Sequence, residues 1–119
     1  MKSYNVFIPL MNKNILFIVG ENAIDNFDVI DNADPNDYWF HINDGSSCHV
    51  VASMDLDNHI KLSKKEKKYI IKKGAEICKM KSKYKSNQYV SVVFTKIKNV
   101  VKTDIVGQVH LLERRLIEI

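Results

Sequence analysis

Apolar residues fall into strand-sized runs over most of this chain, and helical spacing occurs in two places. Tyr4 to Ile8, ended near Pro9, and Ile15-Leu16-Phe17-Ile18-Val19 predict two strands joined by a turn at Asn12 to Asn14, hence a hairpin. Past Gly20, the spacing of Ala23, Ile24, Phe27 and Ile30 predicts a short helix that Asn22 can cap. Asp34-Pro35-Asn36-Asp37 is a turn, because proline fixes its own φ and disfavours helix in the residue before it. From Tyr38 the period changes to two: Tyr38, Phe40 and Ile42 share one face of a strand, and Trp39, His41 and Asn43 share the other. One face builds core and the other is free to meet a ligand. Asp44-Gly45-Ser46-Ser47 then turns the chain back into Cys48-His49-Val50-Val51, which brings His41 and His49 together at one end of a hairpin.

Met54 to Ile60 has no period and reads as a loop. Ser63-Lys64-Lys65-Glu66 has the form of a capping box and starts the long helix. On that helix Ile70, Ile71, Gly74, Ala75, Ile77 and Cys78 share one arc, and Lys65, Lys68, Lys72, Lys79 and Lys83 share an arc turned away from it. Gly74 costs about 1 kcal/mol relative to alanine, which is offset if it permits close approach of a neighbour. Tyr89 to Thr95 is the clearest strand, placed centrally in the sheet. Asn99 to Thr103 is a short extended piece, Gly107 marks a turn, and Gln108–Leu112 with Leu116–Ile119 form a closing strand or pair. The expected architecture is one α+β domain, a mainly antiparallel sheet with one long basic helix and one short one.

Composition changes this picture little, but charge distribution changes it considerably. The net charge of +4 hides two lysines against nine acids in residues 1–60, and eleven lysines against Glu66 and Glu76 in residues 61–85. A field this polar attracts polyanions, and its effect falls steeply with salt. No apolar run reaches the roughly 18 to 20 residues that cross a bilayer, so no membrane is expected. The N-terminus is too short and polar for a signal peptide, and the expected location is cytoplasmic. Cys48 and Cys78 are then read as buried thiols.

Two chemistries compete for the stretch Asp37 to Val50. Asp37, His41 and His49 could form an acid/base or metal group, although histidines eight residues apart match no ligand spacing and Cys48 points away from His49. Ser46 and Ser47 lack a Gly-x-Ser-x-Gly elbow, and the four glycines are isolated, so neither nucleophilic catalysis nor a phosphate-cradling loop is supported. No cofactor, metal or small-molecule substrate is expected. The second chemistry is nucleic-acid binding: lysines on one helical arc hold phosphates without sequence readout, while Trp39 and His41 stack on or bond to unpaired bases. Trp39 reads nearly as well as a core residue. Genomic AT bias raises lysine content by itself, so position on the helix is the stronger signal.

Several elements carry a family resemblance: Val19-Gly20-Glu21-Asn22-Ala23 with Asn26 and Phe27; Asp34-Pro35-Asn36-Asp37-Tyr38-Trp39-Phe40-His41; Ser46-Ser47-Cys48-His49-Val50; Val93-Phe94-Thr95; Val101-Lys102-Thr103; and Gly107-Gln108-Val109. In order and spacing they resemble the NFACT-R domain, which also occurs in nuclear export mediator factor and bacterial fibronectin-binding-like proteins. The small stand-alone coiled-coil-domain-containing group is the most similar. The resemblance implies binding to RNA, either tRNA or ribosomal RNA, in translation or ribosome quality control, with the ribosome as a partner and DNA binding also associated with the stand-alone group. It carries a role to Asp37, Trp39, Phe40, His41, Ser47, His49, Lys102 and Thr103. Relatives often have a basic residue where Ala52 and Ser53 stand here, and the Lys102–Gly107 loop is short, so a phosphate contact at either place is in doubt. The basic helical tail of the stand-alone group is not within these residues.

The leading expectation is a non-catalytic RNA-binding module in which Lys65, Lys68, Lys72, Lys79 and Lys83 hold phosphates and His41, His49 and Lys102 form a specific pocket. A catalytic or metal site at Asp37, His41 and His49 is the second reading, and a module docking on a ribosomal protein is the third.

Overall fold

The computed structural model describes residues 1–54 and 61–119. The expected loop from Met54 to Ile60 lies, beyond Met54, outside the described residues. The strands are β1 (Lys2–Ile8), β2 (Lys13–Val19), β3 (Tyr38–Ile42), β4 (Val50–Ser53), β5 (Ser91–Lys96), β6 (Val100–Lys102), β7 (Val109–Leu111) and β8 (Arg115–Glu118), and the helices are α1 (Ala23–Asp31) and α2 (Lys64–Met80). Six strands form one antiparallel sheet in the order β1-β2-β4-β3-β5-β8. β6 and β7 form a separate ribbon. The α+β expectation holds, with both helices where their start signals lie.

Local chemistry explains the boundaries. Pro9 opens a single 3-10 turn that Asn12 closes in the left-handed conformation, φ 49°, setting the register Ile8 opposite Lys13. At α2, the Ser63 hydroxyl accepts from the Glu66 amide at 3.1 Å, and the Glu66 carboxylate accepts from the Ser63 amide at 2.7 Å. The capping box read from the sequence is therefore present.

The sheet is covered on both faces. On one, Ile70, Ala75, Ile77 and Cys78 of α2 pack against Phe17, Tyr38, Phe40, Ile42, Val50 and Phe94. On the other, Val29 and Ile30 of α1 meet Trp39, Val51 and Val93, with Val109 and Leu111 of the ribbon packed alongside. A free second face on β3 was expected. The ribbon covers it because the segment between β5 and β8 leaves the main sheet: β6 and β7 pair with each other, and only β8 returns to pair with β5.

Gly74 lies where α2 crosses β3. A Cβ there would sit 2.2 Å from the Phe40 ring, and Phe40 is fully buried with no room to retreat. Gly74→Ala should therefore lower stability by roughly 1 to 2 kcal/mol, overpacking outweighing the gain in helix propensity. A chemical-denaturation midpoint that rises instead would show the crossing to be slack.

Candidate nucleic-acid interface

The histidines do meet, but within a longer turn than a tight hairpin. β3 and β4 pair from Tyr38–Ala52 to Phe40–Val50, which leaves residues 43–49 as the connection. Cys48 and His49 thus lie outside the strand. Asp44, not Gly45, takes the left-handed backbone at φ 55°. Gly45 is needed for clearance instead, since a Cβ there would lie 2.7 Å from the Tyr84 hydroxyl. The Ser47 hydroxyl fastens the turn, accepting from the Ile42 amide at 3.1 Å and donating to the Cys48 carbonyl at 3.0 Å.

Trp39, His41 and His49 form one aromatic cluster. The Trp39 indole N–H donates to His49 Nδ1 at 3.2 Å. His49 is therefore neutral, with its proton on Nε2. Burial drives its pKa down to about 3, helped by the neighbouring His41, with the Gly107 backbone acting in the opposite direction. The His41 ring stacks parallel to Trp39 at 5.7 Å and meets His49 edge-on at 5.2 Å. His41 Nδ1 donates to the Ile42 carbonyl at 2.7 Å, which leaves Nε2 as an acceptor. Its pKa is also lowered by burial, with the Ile42 and Ser47 carbonyls opposing the shift.

Asn26 and Gly20 hold His49 by its backbone. The Asn26 side-chain oxygen accepts from the His49 amide at 3.1 Å, and the His49 carbonyl accepts from the Gly20 amide at 2.9 Å. Gly20 has to lack a side chain, because a Cβ would lie 2.2 Å from Asn26 Oδ1. This clamp rotates α1 from its expected setting: Asn26, Val29 and Ile30 are buried, while Ile24 is exposed. The signal was a polar residue amid an apolar arc, where a buried amide needs a partner. Gly107, at φ 85°, lies against Ala23 and completes the support. The Thr103 hydroxyl shapes that loop, donating to the Gln108 carbonyl at 3.0 Å and accepting from the Ile105 amide at 3.2 Å.

Two clefts open on either side of His41 and His49. One, of about 820 Å³, is lined by Lys2, Asn22, Ser46, Cys48 and Lys81 as well as the histidines. The other, of about 670 Å³, runs past Asn43, Val93 and Gln108 to Arg114. Lys81 follows the end of α2 and lies over the Tyr4 ring; it and Lys2 are cations that the sequence reading left out.

Several expected partners do not join this site. Asp37 is 3% exposed at the other end of β3, where its carboxylate accepts from the Asp34 and Met54 amides at 2.9 Å each. It therefore does not assemble with His41 and His49, and among the described residues no three His, Cys, Asp or Glu side chains are placed to hold a metal. Trp39 is 2% exposed, stacked on His41 and walled by the ribbon, so it cannot also stack on a base in this conformation. Lys102 lies on β6, paired with Asp31 and over the Phe27 ring, and lines neither cleft.

The lysine arc is shorter than expected. α2 ends at Met80, so Lys83 lies beyond it, where it stacks over Tyr84. Lys79 donates to the Ile119 carbonyl at 3.1 Å and is turned toward the sheet edge. Lys65, Lys68 and Lys72 remain exposed on the side of α2 away from the sheet. Among the described residues none of the three has an ion-pair partner, since Glu66 serves the cap and Glu76 pairs with Lys73. They stand on the opposite face of the sheet from Trp39 and His41.

Comparison with known proteins places this geometry. A solved structure of the C-terminal part of the fibronectin/fibrinogen-binding protein from Streptococcus suis superimposes with a TM-score of 0.73 over 88% of this chain, at 23% identity, which shows a shared fold. This chain spans 40% of that one. No curated protein matches the sequence. The family model described as the NFACT protein RNA binding domain matches residues 3–112, including His41, His49 and the whole of α2. This chain belongs to the NFACT protein RNA binding domain family.

Proposed function

We propose that this protein is a non-catalytic RNA-binding module in translation or ribosome-associated quality control, acting in the cytoplasm on tRNA or ribosomal RNA. The observation that carries this reading is the row Lys65, Lys68 and Lys72, exposed, without carboxylate partners among the described residues, and on a rigid capped helix. Lysines so held are point charges for phosphates, and they supply affinity without base readout. The histidine clefts are the place for a selective contact. His41 lines both clefts, and its neutral imidazole suits the amino or 2′-hydroxyl donors of an unstacked nucleotide.

The direct test is fluorescence anisotropy with a labelled tRNA, a ribosomal RNA hairpin and a DNA duplex of matched length at ~50 mM salt. RNA should bind more tightly than the duplex, and His41→Ala should narrow that gap while leaving duplex affinity unchanged. Absence of RNA binding at this salt would remove the reading. Association with ribosomes that survives nuclease treatment would favour docking on protein instead.

A further inference from the structure

A groove of about 580 Å³ lies at the far end of β3 from the histidines, where β5 ends and β8 begins. Tyr38 and Phe94 contribute to its wall, and around them stand Lys67, Lys96, Lys98, Arg114 and Arg115, with Glu113 as the acid among its lining residues. Among the described residues none of these five cations is within ion-pair distance of a carboxylate. Arg115 instead lies over the Phe94 ring at 5.5 Å. Of the chain's 18 basic residues only Arg114 and Arg115 are arginine, so both of its planar, bidentate donors are in this one place.

Charges on an exposed edge strand discourage pairing with other chains, and that alone accounts for Arg115 on β8. It does not account for Lys67 on α2, for Lys96 and Lys98 at the end of β5, or for Arg114 ahead of β8. The connections are the more informative feature. Lys67 belongs to the same helix as Lys65, Lys68 and Lys72, so the groove continues their charged surface. Arg114 and Glu113 also line the second histidine cleft, on the other face of the sheet. Arg114 is thus the shared wall between two openings that the sheet otherwise separates.

We propose that this groove is a second phosphate-binding site, which takes the phosphodiester backbone of RNA around the β8 edge from the α2 lysines to the His41 cleft. The proposal rests on the RNA-binding reading above and adds the path that joins its two halves. Arg114 makes the bidentate contact at the turn of the path, and Lys67, Lys96 and Lys98 supply point charges along it.

The test compares the double variant Arg114→Gln/Lys98→Gln with wild type in anisotropy titrations of labelled tRNA from ~50 to ~200 mM salt. Both positions are exposed, and an unchanged thermal midpoint checks that the fold is intact. Affinity should fall about tenfold or more, and the slope of log K against log salt should shrink by about 2. Arg114→Lys should keep the slope yet lose affinity, because it retains charge without the bidentate fork. If wild type binds tRNA and the double variant matches it in affinity and slope, the groove is not part of the path. If wild type does not bind at all, the RNA reading itself has failed. A double variant that keeps RNA binding but loses binding to oligoglutamate would assign the groove to an acidic protein partner and overturn the proposal.

Discussion

Replacing His49 with alanine should destabilise the protein by roughly 3 to 5 kcal/mol at neutral pH, the sum of a cavity and of a Trp39 indole N–H left without an acceptor in the core. The size of the effect follows from His49 being 2% exposed and hydrogen-bonded to three residues, Trp39, Asn26 and Gly20. Wild type should also lose stability in acid through the same residue. Its folded pKa of about 3 lies below the 6.5 of the unfolded chain, so between those values only the unfolded state takes up the proton. The contribution of neutral His49 is complete above pH 6.5 and is lost as pH falls toward 3. Between pH 7.5 and 4.5 this amounts to roughly 2 to 3 kcal/mol, and His41, shifted in the same direction, adds to it. Denaturant unfolding at the two pH values measures the loss. His49→Asn, which keeps an acceptor near the Nδ1 position but does not titrate, should flatten the profile. An equal acid sensitivity in wild type and His49→Asn would mean that the imidazole is not held neutral in the core.

Much of the fold was legible because its signals are local. The capping box at Ser63, the apolar arc of α2, the cap at Asn22 and the β-branched run of β5 each depend on residues within one turn or one strand of each other. Gly74 was legible as a close approach, though its partner, Phe40, was not. The features that could not be read depend on distant segments. Nothing around Trp39 announces that a ribbon sixty residues later will cover it. Its alternation with Phe40 was correct, but the inference that an amphipathic strand leaves one face free was not. The setting of α1 was misread because the apolar spacing of Ala23, Ile24, Phe27 and Ile30 was taken as the buried arc, whereas the Asn26 side chain is committed to the backbone of His49.

The site was legible in part and for a similar reason. Trp39, His41, Ser47 and His49 come together because one turn of the chain places them there. Asp37 does not join them, since four residues of extended strand separate it from His41 by roughly 13 Å. Lys102 was grouped with the histidines by family resemblance, and its charge is met by Asp31. The helical arc of lysines was extrapolated past Met80, and no glycine marks the end of α2, where Lys81 is the C-cap. The basic groove escaped notice because its members come from α2, β5 and the turn before β8, and only the tertiary fold assembles them.

The lysine row carries the second large effect. Each lysine that contacts a phosphate releases condensed counterions, so it contributes about 0.7 to 0.9 to the slope of log K against log salt. Loss of three such contacts removes about 2 to 3 from that slope, which over a fourfold change in salt is roughly a 16- to 64-fold change in affinity. Because the three side chains are exposed and outside the core, reversing them leaves the packing of α2 intact.

The most direct measurement is therefore the salt dependence of tRNA affinity for wild type and for Lys65→Glu/Lys68→Glu/Lys72→Glu, titrated between ~50 and ~200 mM. A slope for the variant that is shallower by about 2 to 3, with at least a tenfold weaker affinity at the lower salt and an unchanged unfolding midpoint, is the result predicted for phosphates held on α2. Parallel slopes with equal affinities would contradict it, and would leave the lysine row as a solvated helix face.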